Sequence, residues 1–192
     1  MTLVDATSNL VPPVIRLASP PDAPGLAAMH VESWRETYPG LVPAAMLVSL
    51  SVDKRTAAWA RILDDPSSTT TVFVAETSDG IVGFGACGPQ RTQALQAGGY
   101  DGEISAIYVL KAFQRRALGA GLLSTMASSM RTAGMKAASL WVLRDNVPAR
   151  RFYERHGGQV IAEREDARPE GVLFEVAYGW QDLAGIVRAA GD

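Results

Sequence analysis

The sequence predicts a mixed α/β domain, because segments with two different hydrophobic periods alternate along it. In some segments apolar residues recur every three or four positions, as on one face of a helix, and in others they alternate or run through β-branched residues. A chain of 192 residues, 47% of them hydrophobic, is long enough for one core and short for two. We therefore expect a loose leader over residues 1–13 and a single domain over residues 14–192.

The first third of the chain predicts one short strand and three helices. Val14–Leu17 is the strand, and Ser19 begins a segment with the composition of a helix start. The first helix has apolar and aromatic residues at helical spacing: Ala27, Val31, Trp34 and Tyr38. Pro39-Gly40 ends it, and helical patterns follow over about 43–50 and after Ser51.

The middle of the chain changes to the period of a strand. Residues 70–76 and 81–88 flank the turn residues Ser78-Asp79-Gly80 and predict a β-hairpin. Residues 89–102 lack periodicity and predict a loop, and Glu103–Leu110 predicts a buried strand.

The remaining elements alternate between helix and strand. Four apolar residues follow one another every four positions and predict a helix from Gln114 to Gly134: Leu118, Leu122, Met126 and Met130. Ala138–Leu143 is a strand, and Asn146 is expected to cap a helix that Gly157-Gly158 closes. Strands near 159–164 and 172–178 bring the predicted total to about seven.

Composition excludes several classes of function. The formal charge of -2 argues against non-specific binding to nucleic acid. No apolar run approaches the ~20 residues that span a bilayer, and residues 1–9 do not have the pattern of a signal peptide. Cys87 is the only cysteine, and neither His30 nor His156 has a metal-ligand companion, so we predict no disulfide framework and no metal site. A cytoplasmic domain without membrane or nucleic-acid partners is the expectation.

The most informative segment lies where a predicted strand turns into a helix. It reads Gln114-Arg115-Arg116-Ala117-Leu118-Gly119-Ala120-Gly121. Amides at a helix N-terminus have no intrahelical partner and attract a phosphate, and small side chains allow a close approach. The segment is neither a Walker A loop, since the terminal G-K-[ST] is missing, nor a G-x-G-x-x-G dinucleotide motif.

This segment resembles the acetyl-CoA signature of the GNAT acetyltransferase superfamily: Gln or Arg, two variable residues, Gly, one variable residue, then Gly or Ala. Gln114 and Gly119 match it, and Ala117 departs from it by replacing the usual first glycine, which we expect to be tolerated if the position is helical. Two further segments are similar to the family: residues 140–157, with A-x-x-F-Y-E-x-x-G after an asparagine, and W-R-E-T-Y-P-G at 34–40.

The resemblance implies a single-domain GNAT-like fold with a mixed, mostly antiparallel central sheet of about seven strands flanked by helices. It also implies that acetyl-CoA is the co-substrate. Its pyrophosphate would bind the backbone at Arg115, Arg116, Ala117, Leu118, Gly119 and Ala120, beside Gln114. Its pantetheine arm would contact Ile107, Tyr108 and Val109, with Val109 or Leu110 supplying an amide to the thioester carbonyl, and would be lined by Asn146, Ala149, Phe152 and Tyr153.

Acetyl transfer to an amine needs a group that removes a proton from the amine and one that protonates the leaving thiolate. The resemblance implies that Tyr153 is the general acid. Glu103, at the start of the central strand, is our candidate base, directly or through water, although it fits an ordinary strand end equally well. Trp34 and Tyr38 are either core residues or walls of the acceptor pocket.

The predicted function is transfer of acetyl from acetyl-CoA to a primary amine of a small molecule or peptide, by direct attack through a tetrahedral intermediate. The alternatives are an acyl-CoA-binding sensor without turnover and a purely structural domain. A homodimer joined through the strand near the C-terminus is expected by analogy only.

Overall fold

The computed structural model describes residues 13–189, so the expected leader, apart from Pro13, lies outside the described residues. Its centre is a seven-stranded sheet in the order β1-β2-β3-β4-β5-β7-β6. The strands are β1 (Val14–Leu17), β2 (Thr71–Thr77), β3 (Gly80–Pro89), β4 (Gly102–Val109), β5 (Ala138–Leu143), β6 (Gln159–Arg168) and β7 (Gly171–Trp180). Strands β4 and β5 run parallel and the other neighbouring strands antiparallel, which confirms the predicted fold class.

Helices lie on both faces of this sheet. They are α1 (Ala23–Thr37), α2 (Ala44–Val48), α3 (Val52–Asp64), α4 (Gln93–Ala97), α5 (Leu118–Thr132), α6 (Val147–Arg155) and α7 (Leu183–Ala189). Two predictions were wrong in detail. The segment 89–102 contains the short helix α4, and the helix expected from Gln114 begins only at Leu118 because residues 111–113 form a 3-10 turn and residues 114–117 a loop.

Each face of the sheet has its own apolar core. Helix α5 packs on one face, where its four predicted apolar residues are all buried: Leu118, Leu122, Met126 and Met130. Helices α1 and α3 cover the other face, where Leu26 and Trp59 pack against Phe84 of β3. Cys87 is a buried core residue, as expected, and burial raises the pKa of its thiol to about 12.

The sheet opens between its two parallel strands. Pairing of β4 with β5 is restricted to Gly102 with Ala138 and Glu103 with Ser139, and beyond these pairs the strands separate. A β-bulge at the adjoining β3 register, where Ala86 pairs with Ala106 and Cys87 with Ile104, bends β4 at this point. The result is a gap in the middle of the sheet whose walls are the second halves of β4 and β5.

The outer strands correct one expectation. Strand β7 lies between β5 and β6 and pairs with both, so it has no free edge for a second subunit. Its inner position explains the apolar run Val176–Trp180, which is buried throughout. In residues 13–189 the sheet ends at β1 and β6, and any sheet shared between copies would use one of these edges. Within the same residues, none of the helices has the length and apolar character required to cross a bilayer.

Candidate active site

The turn before α5 has an unusual backbone. Arg115 and Ala117 both have φ 59°, the left-handed region that residues other than glycine seldom occupy. Ala117 is the N-cap of α5, with ψ 0° and no capping side chain. Ala117 is therefore not helical, and the condition under which we expected alanine to be tolerated is not met. Alanine in place of the family's usual glycine instead costs about 1–2 kcal/mol of backbone strain at this position.

This turn directs unpaired amides toward one point. The bond from the Gly121 amide to the Ala117 carbonyl, 2.9 Å long, starts the hydrogen-bond ladder of α5. The amides of Leu118, Gly119 and Ala120 precede it and have no intrahelical partner. Unpaired amides and the positive end of a helix dipole are the groups that attract an anion, and the sequence analysis expects a phosphate at this position.

Two of the segments that resemble the family, residues 114–121 and residues 140–157, meet at Gly119. A Cβ atom on Gly119 would lie 3.3 Å from the ring of Phe152 on α6. Glycine is thus required here for the packing of α5 against α6 as well as for access to the amides. Asn146 caps α6 by accepting a hydrogen bond from the Ala149 amide at 3.3 Å, as expected.

The direction of the β4 amides assigns them to one side of the strand. The Leu110 amide donates to the Val82 carbonyl of β3 at 3.0 Å, so it is not available to a thioester, contrary to one of our two expectations. Because amide direction alternates along a strand, Tyr108 also faces β3, and Ile107 and Val109 face the gap. The Val109 carbonyl confirms this direction, since it accepts a hydrogen bond from Gln114 Nε2 at 2.9 Å.

Tyr153 lies on α6 and is buried against β7. Its ring is 6% exposed and packs against Tyr178 and Trp180 of β7 and Phe152 of its own helix. Its hydroxyl makes no hydrogen bond within residues 13–189. Burial is the main cause that raises the pKa of this phenol above its ordinary value, and the proximity of Tyr108 adds to it. The phenol therefore keeps its proton at neutral pH.

Two further phenols border the gap from the side of α1. The hydroxyls of Tyr38 and Tyr108 are 3.0 Å apart and hydrogen-bonded. Burial raises the pKa of both, and Tyr153 and Glu175 are among the groups that influence Tyr38 electrostatically. The structure thus brings Tyr38 to the site. Its expected companion Trp34 contacts Tyr38 edge-to-face, at 4.8 Å between ring centroids.

Behind these phenols lies an aromatic cluster that includes a histidine. His30 is buried, accepts a hydrogen bond from Trp59 Nε1 at 3.3 Å, and packs against Phe84 and Tyr108. Burial lowers its pKa to about 3, so the imidazole is neutral. The indole N–H of Trp34 is also buried here and has no hydrogen-bond partner among residues 13–189. These residues pack behind the Tyr38–Tyr108 pair.

Glu103 is held in an ion pair. Its two carboxylate oxygens accept hydrogen bonds from Arg91: Nη2 at 2.5 Å, Nε at 3.0 Å and the backbone amide at 3.1 Å. The carboxylate borders a cavity of about 20 Å³, which is the size of one water molecule. A base acting through water is compatible with this cavity.

One carboxylate of the site was missed at the sequence level. Glu175 stands in the otherwise apolar strand β7, and its side chain is 14% exposed. Arg164 of β6 donates both Nε and Nη2 to Glu175 Oε2, each at 2.7 Å. The guanidinium also lies over the ring of Trp141 at 4.1 Å from its centroid. A single carboxylate within an apolar strand was the signal that could have identified it.

A surface cleft lies in the part of the sheet that carries Glu175. It has a volume of about 210 Å³. Its lining combines the loop after α1 with the ends of β5 and β7: Gly40, Leu41, Val42, Pro43, Leu143, Asp145, Val172, Leu173 and Phe174. Leu143 of this lining pairs with Glu175 across the sheet, and the Glu175 side chain itself does not line the cleft. In the described part of the chain, no three His, Cys, Asp or Glu side chains could hold a metal ion together.

The fold and this site define a class of protein, and comparison with known proteins agrees with it. Residues 28–158 match the model of the acetyltransferase (GNAT) family. An uncharacterized N-acetyltransferase of Bacillus subtilis (strain 168), YuaI, is 35% identical over 174 residues, which are 90% of this chain and 95% of the relative. A probable N-acetyltransferase of Mycobacterium tuberculosis is 27% identical over 90% of this chain and 87% of its own length.

Solved structures share the fold at lower identity. The PaiA N-acetyltransferase of Thermoplasma acidophilum, crystallised with coenzyme A, has a TM-score of 0.69 and 20% identity, covering 88% of this chain and 100% of that chain. YncA of Salmonella typhimurium, a putative acetyltransferase solved with acetyl-CoA, has a TM-score of 0.64 and 19% identity, covering 89% of this chain and 94% of that chain. The chain belongs to the acetyltransferase (GNAT) family and is an acyltransferase enzyme.

Proposed function

We propose that this protein transfers the acetyl group of acetyl-CoA to a primary amine of a small molecule or peptide, by direct attack of the amine on the thioester. One observation carries the proposal: the unpaired amides before α5 lie beside the gap between β4 and β5, whose Ile107 and Val109 amides are also free of the sheet. A long ligand with a pyrophosphate at one end and an amide-containing arm at the other fits this arrangement of donors.

Acetyl-CoA has the composition that these donors require. The amides of Leu118, Gly119 and Ala120 would hold its pyrophosphate, with Arg115 and Arg116 adding positive charge. The amides of Ile107 and Val109 would bind the arm, and the one nearer the thioester would polarise its carbonyl and stabilise the tetrahedral intermediate. Proximity of the two bound substrates would supply much of the rate.

Proton transfer would use groups at opposite sides of the gap. Tyr153 keeps its proton because burial raises its pKa, so it can donate to the departing thiolate. Glu103 would accept the amine proton through the water that its small cavity can hold, while Arg91 keeps its carboxylate in place. Trp34 and Tyr38 would form the wall against which the acceptor lies.

The role of Tyr153 is tested by Tyr153→Phe, which removes one oxygen and keeps the ring. We expect turnover at saturating acceptor to fall about 100-fold or more, with the KM for acetyl-CoA nearly unchanged. Tyr178→Phe is the matched control, because it removes a neighbouring buried hydroxyl that donates to Glu154 instead. Equal turnover in the Tyr153 variant and the wild type would exclude this phenol as the acid.

The same assay separates the enzyme from an acyl-CoA sensor, which would bind the ligand and release no free CoA in the presence of any amine. A cytoplasmic location and a homodimer stay predictions. The single buried Cys87 fits a reducing compartment.

A further inference from the structure

The contact between Arg164, Trp141 and Glu175 has the composition of a binding site for a cation. An aromatic face and a carboxylate that meet at one point are the two groups that bind ammonium and guanidinium ions most strongly in proteins. Here the guanidinium is 4.1 Å from the Trp141 ring centroid and 2.7 Å from Glu175 Oε2. The cation in the site is a side chain of the protein itself.

The sheet builds this site on the acceptor side. Trp141 of β5 pairs with Ala177 of β7, and Glu175, two residues away on β7, pairs with Arg164 of β6. The small side chain of Ala177 leaves room for Arg164 to cross β7 and reach the indole. The opposite face of β5 packs in the core through Leu140, so the indole belongs to the face that carries Tyr108.

Arg164 is the replaceable part of the cluster. Its side chain is 38% exposed, whereas that of Glu175 is 14% exposed. The guanidinium binds only Oε2, and Oε1 of Glu175 accepts no hydrogen bond from the described residues. The guanidinium is thus partly exposed and leaves one oxygen of the mostly buried carboxylate unpaired, so a ligand cation could replace it in the same contacts.

A second ion pair on the same strand has none of these features. Arg168 binds Asp166 at 2.6 Å, and their side chains are 51% and 22% exposed. No aromatic ring lies under this guanidinium. Arg164 and Arg168 thus have equal charge, share a strand and each pair with a carboxylate, and they differ in the aromatic surface under the guanidinium.

We propose that Trp141 and Glu175 form a cation-binding subsite for the acceptor, that Arg164 occupies it in the free protein, and that the acceptor is an amine carrying a second cationic group. This inference rests on the proposed acetyl transfer for its identification of the ligand as the acceptor.

Arg164 then acts as an intramolecular competitor of the acceptor, which gives a counter-intuitive expectation. Arg164→Gln removes the competing guanidinium and keeps a polar, uncharged side chain. It should tighten the binding of pentyltrimethylammonium, a cation that cannot be acetylated, by about threefold to tenfold in a calorimetric titration at fixed ionic strength. Arg168→Gln is the control for the change in net charge and should leave this affinity unchanged.

Kinetics extend the test to the acceptor. Arg164→Gln should lower the KM for 1,5-diaminopentane and leave unchanged that for 5-aminopentan-1-ol, which has the same length but an uncharged second group. Adding Glu175→Gln to Arg164→Gln should remove the gain.

Weaker or unchanged binding of the cation to the Arg164 variant, or an equal gain in the Arg168 variant, would overturn the subsite. A binding gain with no change in the KM for the diamine would overturn its assignment to the acceptor. The titration needs no turnover, so it decides the subsite even if every amine proves unreactive and the proposed function fails.

Discussion

The two sides of the gap in the sheet are built in different ways. The side assigned to CoA consists mainly of backbone amides from the second half of β4 and from the turn before α5, two segments that follow each other in the chain. The acceptor side consists of side chains from α1, β4, β5, β6 and β7. Backbone donors serve one invariant ligand, whereas side chains can be exchanged to suit a different acceptor.

The difference extends to the strain and burial in each region. The CoA side keeps two residues in the left-handed region, Arg115 and Ala117, with little burial around them. The acceptor side has relaxed backbone but buries titratable groups: His30, Tyr38 and Tyr108. The proposed function thus relies on a strained backbone on the CoA side and on desolvated titratable groups on the acceptor side.

The largest expected effect tests the CoA side with a charge. Gly119→Asp places a carboxylate beside the amides of the α5 N-terminus. Two charges about 4 Å apart at a partly exposed site repel by about 4 kcal/mol, so CoA affinity should fall by about a thousandfold in a calorimetric titration.

Because any side chain at position 119 also meets Phe152 at 3.3 Å, Gly119→Asn is the matched control. It has the same size without the charge and should lose much less affinity. Equal losses in the two variants would mean that packing against α6, and not the phosphate, determines the effect.

The next effect tests burial on the acceptor side through pH. His30 has its pKa lowered to about 3 in the folded protein, against about 6.5 when unfolded. Below pH 6.5 the unfolded chain takes up a proton that the folded protein refuses, so the stability is complete above pH 6.5 and falls as the pH decreases toward 3. The loss reaches at most about 1.4 kcal/mol per pH unit.

His30→Gln removes this proton uptake. The difference in unfolding free energy between wild type and variant, measured by denaturant titration, should therefore shrink as the pH is lowered from 7 to 4. A difference that stays constant across this range would show that His30 does not titrate on unfolding.

The smallest effect concerns the strain of the turn. Ala117→Gly replaces a residue at φ 59° with one that adopts this conformation freely, and should stabilise the fold by about 0.5–1 kcal/mol. Ala120→Gly, three residues on and inside α5, should destabilise it by about 1 kcal/mol. Thermal unfolding would register opposite signs for the two substitutions, and equal signs would contradict a left-handed Ala117.

The contrast between the two sides also explains what the sequence could predict. The strand, turn and helix of residues 102–132 follow from local periodicity and from one contiguous motif, so their order and most of their residues were predictable. The left-handed φ of Ala117 was not, because alanine favours the helical region and only the surrounding loop imposes another. The direction of the Leu110 amide depends on its register with Val82, which no local pattern contains.

The acceptor side could be predicted only in part. Tyr38 and Glu103 were named as candidates from a motif and from a strand end, but Arg91, which pairs with Glu103, lies in a segment for which only a loop was predicted. Glu175 and Arg164 were missed because they meet through the pairing of β6 with β7, and their contact with Trp141 requires the crossing of a third strand. Such clusters depend on sheet order, which sequence periodicity does not specify.

The most direct test of the account is mass-spectrometric detection of acetyl transfer. The wild-type protein would be incubated with acetyl-CoA and a pool of monoamines, diamines, amino acids and short peptides. We predict an acetylated product above the no-protein control, with release of free CoA, and the strongest signal from an acceptor with two cationic groups. Binding of acetyl-CoA without any acetylated amine across this pool would contradict catalysis and favour an acyl-CoA sensor.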